Sequence, residues 1–446
     1  MSDLARTRTS VGAELARSER LGSAAAAPAG GAHWLRPAPA LAAFVAVAAI
    51  VGYRTWRLAV VAGQPHAPGW GLADFRDAIY FPVVAFLAGH NPYAASFTSQ
   101  YPVGNGFPLY LPLTFLVHLP FGLLPFGAAE TAYFITTLAL MLVLAYFTLR
   151  LCGLAVSVAS VVGLASLILI SAPGQWNAFL GQCTAQVAVG MYAALYFARR
   201  RPWLAAIGVA AASFKPSSGV PFALLLLARG DFVPAIGGAA LSGVLVAATT
   251  GVLLYNVGGV TPLLTALSES VASFDADPIV SPATSPYRID VAGVAGRLLG
   301  HPLGSAGDLV LFAAVLAITA LAIRRLRRRT DDGAERLSAS LICLAVLACT
   351  YHQTYDLVLL ALPLTAAATA LREGRGGAVS LLYWVALGAM VLVAANYLVD
   401  GWTMNKLRPS QGWWLIITSV DGLALLAVLL AYLGLALRAR PEPAVS

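Results

Sequence analysis

Ten apolar runs recur along the chain, at residues 38–61, 129–149, 154–172, 180–198, 234–255, 305–323, 336–351, 354–371, 378–399 and 412–436. About 20 apolar residues at a rise of 1.5 Å each make a helix that crosses the roughly 30 Å hydrocarbon core of a bilayer. Each run therefore predicts a helix at or near spanning length. The interruptions carry the orientation. "ARRRP" (198–202), "RRLRRRTDDGAER" (324–336), "LREGR" (371–375) and "LRAR" (437–440) are basic, and short loops rich in Lys and Arg stay in the cytoplasm. These turns and both termini are expected there.

One stretch breaks the alternation. Read as a single span, "RPWLAAIGVAAASFKPSSGVPFALLLLARGDF" (201–232) reverses the side of every later basic run. Read as two short helices meeting at "FKPSSG" (214–219), it restores agreement and gives about twelve helices. Each half is too short to cross a flat bilayer, which predicts a broken hairpin whose tip lies in a protein-lined cavity. The apolar stretch "FPLYLPLTFLVHLPFGLLPF" (107–126) has prolines at 108, 112, 120 and 125. Proline inside a helix removes a hydrogen bond and clashes with the preceding turn, so an outer-leaflet or re-entrant element is expected.

Composition agrees with this pattern. The chain is 59% hydrophobic and 11% charged, where a soluble domain carries about 25% charge, so the class is an all-α polytopic membrane protein. The net charge of +8 comes from runs between spans and is a topology signal, not a nucleic-acid footprint. Residues 1–37 read as a disordered cytoplasmic tail, 38–437 as the membrane domain with large outer loops at 62–128 and 256–304, and 438–446 as a cytoplasmic end. Cys152, Cys183, Cys343 and Cys349 lie in apolar segments without metal or disulfide spacing and read as small core residues.

Eight of the 28 Lys and Arg residues fall on the disfavoured outer side: Arg54, Arg57, Arg76, Lys215, Arg288, Arg297, Lys406 and Arg408. Four features converge with them. "GLADFRDAIYFPVVAFLAGHNPY" (71–93) carries Asp74 and Asp77 on an expected interfacial amphipathic helix over 74–89, with Tyr80 on it. "SAPGQWNAFLGQ" (171–182) supplies Gln175, Asn177 and Gln182, "FKPSSG" supplies Lys215, and "CTYHQTYD" (349–356) supplies Tyr351, His352 and Asp356. Lone charges at helix ends are usually anchors or structural ion pairs. Lys215 departs from that rule, because a lysine before proline at a helix break suits an anion such as phosphate. Asp74 reads either as a helix cap or as a base. For Arg54 and Arg57, an ion pair with Asp74 or Asp77 ranks ahead of a lipid headgroup contact.

A sugar carried on a lipid phosphate fits these residue types. The phosphate leaves already anionic and needs cations, whereas the attacking hydroxyl needs one carboxylate as base. The order "DF", an amphipathic stretch, "LAGHNPY", "YPVGNGFPLYLPL", "LLPFG", "GQWN", an Arg-rich turn and "FKP" resembles the polyprenyl-phosphate-mannose-dependent mannosyltransferases of glycosyltransferase family 87 type, which have a GT-C fold, and related arabinofuranosyltransferases. The likeness covers roughly 38–232 and extends weakly to "YHQTYD". It implies an extracytoplasmic site in the plasma membrane, a polyprenyl-phosphate sugar donor, a glycan or glycolipid acceptor, no cofactor, and an inverting reaction with a catalytic aspartate that falls on Asp74. Asp77 stays as a rival base, His352 as a second catalytic candidate, Lys215, Arg54 and Arg57 as donor-phosphate contacts, and Tyr80, Gln175, Asn177, Gln182, Tyr351, Asp356 and Arg288 as substrate contacts. No outer carboxylate or histidine cluster has metal spacing, which favours a metal-independent reaction. A transporter or lipid-linked sugar flippase is the competing class, marked by inverted repeats, and none is visible.

Overall fold

The computed structural model describes residues 37–59, 70–104, 110–277, 281–329, 331–374, 376–399 and 411–438. The N-terminal tail up to residue 36, the last eight residues, and Lys406 and Arg408 lie outside them. Helix α1 (Pro37–Arg57) is followed by a π-helix (Phe75–Tyr80) and by α2 (Phe81–Leu87), α3 (Phe97–Gln100), α4 (Leu113–Val117) and α5 (Leu119–Gly122). Then come α6 (Phe126–Leu151), α7 (Val158–Ile170), α8 (Ala172–Leu180), α9 (Thr184–Phe197), α10 (Pro202–Ala212), α11 (Pro216–Arg229) and α12 (Phe232–Val257). The remainder comprises α13 (Val260–Ala276), α14 (Val291–Leu299), α15 (Gly304–Leu326), α16 (Asp332–Cys349), a 3-10 helix (Thr354–Leu360), α17 (Ala361–Arg372), α18 (Gly377–Ala394) and α19 (Gln411–Arg438). The chain is an all-α polytopic membrane protein.

All ten apolar runs are helices, and 201–232 is two helices broken at Ser213–Lys215, as the charge pattern required. Among the described residues seven helices are long and apolar enough to cross a membrane, or eight if α7 and α8, bent by 79°, form one span. Length and composition thus do not reach twelve. Helices α9, α10 and α11 are shorter, and α16 begins with Asp332, Glu335 and Arg336. The stretch 113–122 is two short helices and not a continuous one.

Helix α16 organises the core. Every residue from Leu337 to Cys349 is buried, as expected of a helix with no polar face, and α15, α11 and α19 pack around it. Its C-terminal end delivers the "YHQTYD" turn, so that turn hangs from a helix whose last 13 residues are all buried. Helices α9 and α10 cross closely because Gly190 and Gly208 face each other. A Cβ on Gly208 would stand 2.5 Å from the Gly190 carbonyl oxygen, and small residues are what let membrane helices approach this far.

The expected interfacial helix differs from its prediction. It ends at Leu87, before Gly89, and all residues of its π-helical turn are buried, Arg76 and Asp77 included. Phe75 stacks on Tyr133 at 4.3 Å and contacts Phe121 edge-on. The segment is embedded in protein because its aromatic residues meet α5 and α6 where a surface helix would meet lipid.

Candidate active site

Asp74 is held by two close backbone approaches. The chain leaves α1, where the Gly71 amide donates to the Leu58 carbonyl at 2.7 Å, and the Leu72 amide donates to Phe179 of α8 at 2.6 Å. Leu72 is buried with φ of 56°, a left-handed conformation that non-glycine residues rarely adopt. On the other side Gly181 ends α8 with φ of 71°, and a Cβ there would stand 2.6 Å from Phe75 Cβ. The backbone entering the π-helix is thereby clamped between α1 and α8.

Asp74 occupies the helix N-cap position without making a side-chain cap hydrogen bond, which removes the bland reading of its carboxylate. Its Oδ2 instead accepts from the Gln182 amide, and the other end of that amide accepts from Tyr110 Oη at 2.8 Å. Burial, and secondarily the charge of Asp77, push its pKa up from 3.8 to about 7. The Gln182 hydrogen bond and the charges of Lys215 and Arg76 offset only part of this. Asp77 lives differently. Arg76 grips both its oxygens, at 2.5 and 3.0 Å, and the Gly104 amide donates to them at 3.2 Å.

Lys215 caps the broken hairpin, and its ammonium donates to Asp356 Oδ1 at 2.8 Å and to Thr184 Oγ1 at 2.7 Å, over the Tyr355 ring at 4.5 Å. Thr184 donates in turn to Asp356 at 2.7 Å. The second Asp356 oxygen faces His352 Nδ1 at 3.0 Å and the Gln353 amide at 3.1 Å. The lysine expected to be free for an anion is therefore already in a buried ion pair, because the 3-10 turn brings a carboxylate to the hairpin tip. His352 Nε2 is buried without a partner. With a neutral imidazole the Lys215–Asp356–His352 group is neutral overall; a protonated imidazole gives it one positive charge.

The remaining sequence candidates separate. Gln182 belongs to the site through Asp74. Asn177 is fully buried and donates to the Tyr355 carbonyl at 2.6 Å, so it pins α8 to the 3-10 helix. Gln175 accepts from Arg54 at 3.0 Å. Arg54 makes no ion pair with Asp74 or Asp77; its guanidinium lies against Phe179 at 4.9 Å and Trp176 at 5.6 Å. Helix α8 supplies these aromatic faces and the Gln175 oxygen as its partners. Arg57 is exposed and likewise unpaired with them. Tyr80 is a core residue whose hydroxyl donates to the Leu124 carbonyl at 2.8 Å. Arg288 is held by Asp290 at 2.7 Å and Asp308 at 3.1 Å. It forms an antiparallel bridge with Gln353 beside the Ile289 amide to His352 carbonyl bond of 2.9 Å, so it docks the second large loop on the site. Tyr351, which accepts from Gln353, is at this junction.

Thr184, Tyr110 and Tyr355 were missed by sequence reasoning. Thr184 is the first residue of α9, directly after the "GQC" turn, and that position was the available signal. His118 was missed as well: fully buried between the Thr114 carbonyl at 2.8 Å and the Gln186 amide at 3.0 Å, it is pushed by burial down to about 4 and is a neutral packing residue. Among the described residues no three His, Cys, Asp or Glu side chains gather in a group that could hold a metal ion.

The four separated stretches thus meet around two carboxylates, one amide-bound and one cation-bound, at the end of the bundle where α8, α11 and α16 turn. No curated protein and no solved structure matches the chain. A family model does, over residues 109–350, a range that holds Lys215 and begins after Asp74. More than half the sequence lies within that match, and the chain belongs to glycosyltransferase family 87.

Proposed function

We propose that this membrane glycosyltransferase moves one sugar, mannose or arabinofuranose, from a polyprenyl monophosphate carrier to a hydroxyl of a glycan or glycolipid outside the plasma membrane. One observation carries the mechanism. Of the carboxylates on the four converging stretches, Asp77 and Asp356 each have a bonded cation, whereas Asp74 has an amide and an elevated pKa. A carboxylate without a fixed cation and with a pKa near neutrality is the one suited to take a proton from an acceptor hydroxyl. In the proposed step Asp74 takes that proton as the hydroxyl oxygen attacks the anomeric carbon. The bond from that carbon to the phosphate oxygen breaks, its electrons leave with the lipid phosphate, and the anomeric centre inverts. Lys215, held by Thr184 and Asp356, supplies positive charge toward the departing phosphate. Family membership favours this reading over a transporter.

Purified protein in detergent, given radiolabelled mannosyl, arabinofuranosyl or glucosyl polyprenyl phosphate and a glycolipid acceptor, tests the reading. Transfer from one of the first two donors, lost in Asp74→Asn and kept in Asp77→Asn, is expected. The reverse ranking moves the base to Asp77, and no consumption of any of the three donors refutes the donor class.

A further inference from the structure

At the end of α11 remote from Lys215, a groove of about 700 Å3 opens between α11 and α15. Its wall is apolar on the α11 side, where Leu224, Leu227 and Ala228 share one face at i, i+3 and i+4. The same spacing on α15 and its end brings Arg324, Arg327 and Arg328 to the mouth, above Ala320. All three arginines are exposed, and the described residues contain no carboxylate paired with any of them; the ion pairs nearby use Arg229 and Arg329. Arg325, next in sequence, points off this face and does not line the groove. Behind Arg327 lies the buried Arg229, whose Nη2 has no partner. The Arg327 guanidinium rests on Gly230, where a Cβ would stand 2.5 Å from its Cζ.

We propose that this groove is a binding site for an anionic phospholipid, with the phosphate against Arg324, Arg327 and Arg328 and an acyl chain along Leu224, Leu227 and Ala228. The chemistry argues for a lipid over a free anion. An orientation signal requires only positive charge anywhere in the loop, whereas here the charges share a face and cap an apolar slot between two helices, which is how basic pockets between membrane helices take lipid headgroups. Guanidinium also suits phosphate by its paired donors. The site is independent of the sugar transfer proposed above, and the two can fail separately.

Intact-protein mass spectrometry in neutral detergent, with phosphatidylglycerol or phosphatidylcholine titrated in, tests this. The wild-type protein is expected to retain one phosphatidylglycerol at least about tenfold more tightly than phosphatidylcholine. The triple variant Arg324→Ala, Arg327→Ala, Arg328→Ala should lose that preference. So should Ala320→Phe, which fills the groove without changing charge. A charge-matched control, Arg200→Ala, Arg325→Ala, Arg372→Ala, should keep it. Equal loss in the control, or full retention in Ala320→Phe, overturns the proposal and leaves the arginines as orientation signals only.

Discussion

The Asp356 turn and the Asp74 turn face each other across the same site and handle a buried carboxylate in opposite ways. Around Asp356 both oxygens are matched by Lys215, Thr184, His352 and a backbone amide. Around Asp74 the bonded neighbour is a neutral amide, and the nearest like charge, Asp77, adds to the cost of ionisation. A matched carboxylate fixes structure and resists protonation. An unmatched one keeps a proton that it can exchange near pH 7, at the expense of stability. The difference teaches that the presence of a carboxylate in a membrane site says little about its role until its partners are counted.

The largest expected effect lies on the unmatched side. Asp74→Asn preserves shape and removes the proton acceptor, so turnover should fall by roughly 10²–10⁴ with little change in donor KM, read from initial rates. On the matched side, Lys215→Ala leaves Asp356 buried without its main cation, and breaking such a pair costs about 3–5 kcal/mol. Denaturation in detergent should show that loss, and Lys215→Met combined with Asp356→Leu should recover most of the stability without recovering transfer. If the single and double variants are equally stable, the pairing around Asp356 is not what holds the turn.

Gly181→Ala probes the clamp that α8 places on the Asp74 turn. It forces a side chain into a left-handed position 2.6 Å from Phe75 Cβ, a strain of about 1–3 kcal/mol, and should lower both the melting temperature and turnover by shifting Asp74. The pH dependence is smaller but more specific. With Asp74 pushed up to about 7, transfer should fall about tenfold per pH unit on the acid side of that value and level off above pH 8; a profile flat between pH 5 and 8 removes Asp74 as the base. The smallest effect is in stability. A carboxyl whose folded pKa is raised stabilises the fold fully below its ordinary pKa and loses that contribution as pH rises through the folded value. Asp74→Asn should therefore melt roughly 2–4 °C above the wild-type protein at pH 8, with the gap closing toward pH 4.

Much of the fold was legible because its determinants are local. Apolar length located ten helices, and the side of the basic runs forced the break at Ser213–Lys215. Helix α8 is not marked by apolar length, because "SAPGQWNAFLGQ" mixes polar and apolar residues; Ser171 caps it, its side chain accepting from the Gly174 amide, and the chain bends there by 79°. In the site, residue types and their convergence were readable, but pairing was not. Nothing in the sequence says that Arg76 takes its own neighbour Asp77, that Arg54 finds Phe179, or that Lys215 meets a carboxylate 141 positions away. Those choices are made by side-chain geometry after the helices pack.

Helices α10 and α11, which carry Lys215 between them, have 11 and 14 residues, or about 17 and 21 Å of length. Neither matches the roughly 30 Å of hydrocarbon around it. The turn at Lys215 between them therefore lies short of a full crossing. The lipid-linked donor proposed above would then keep its long tail at its resting depth while its headgroup meets the protein, with no extraction from the bilayer before the reaction.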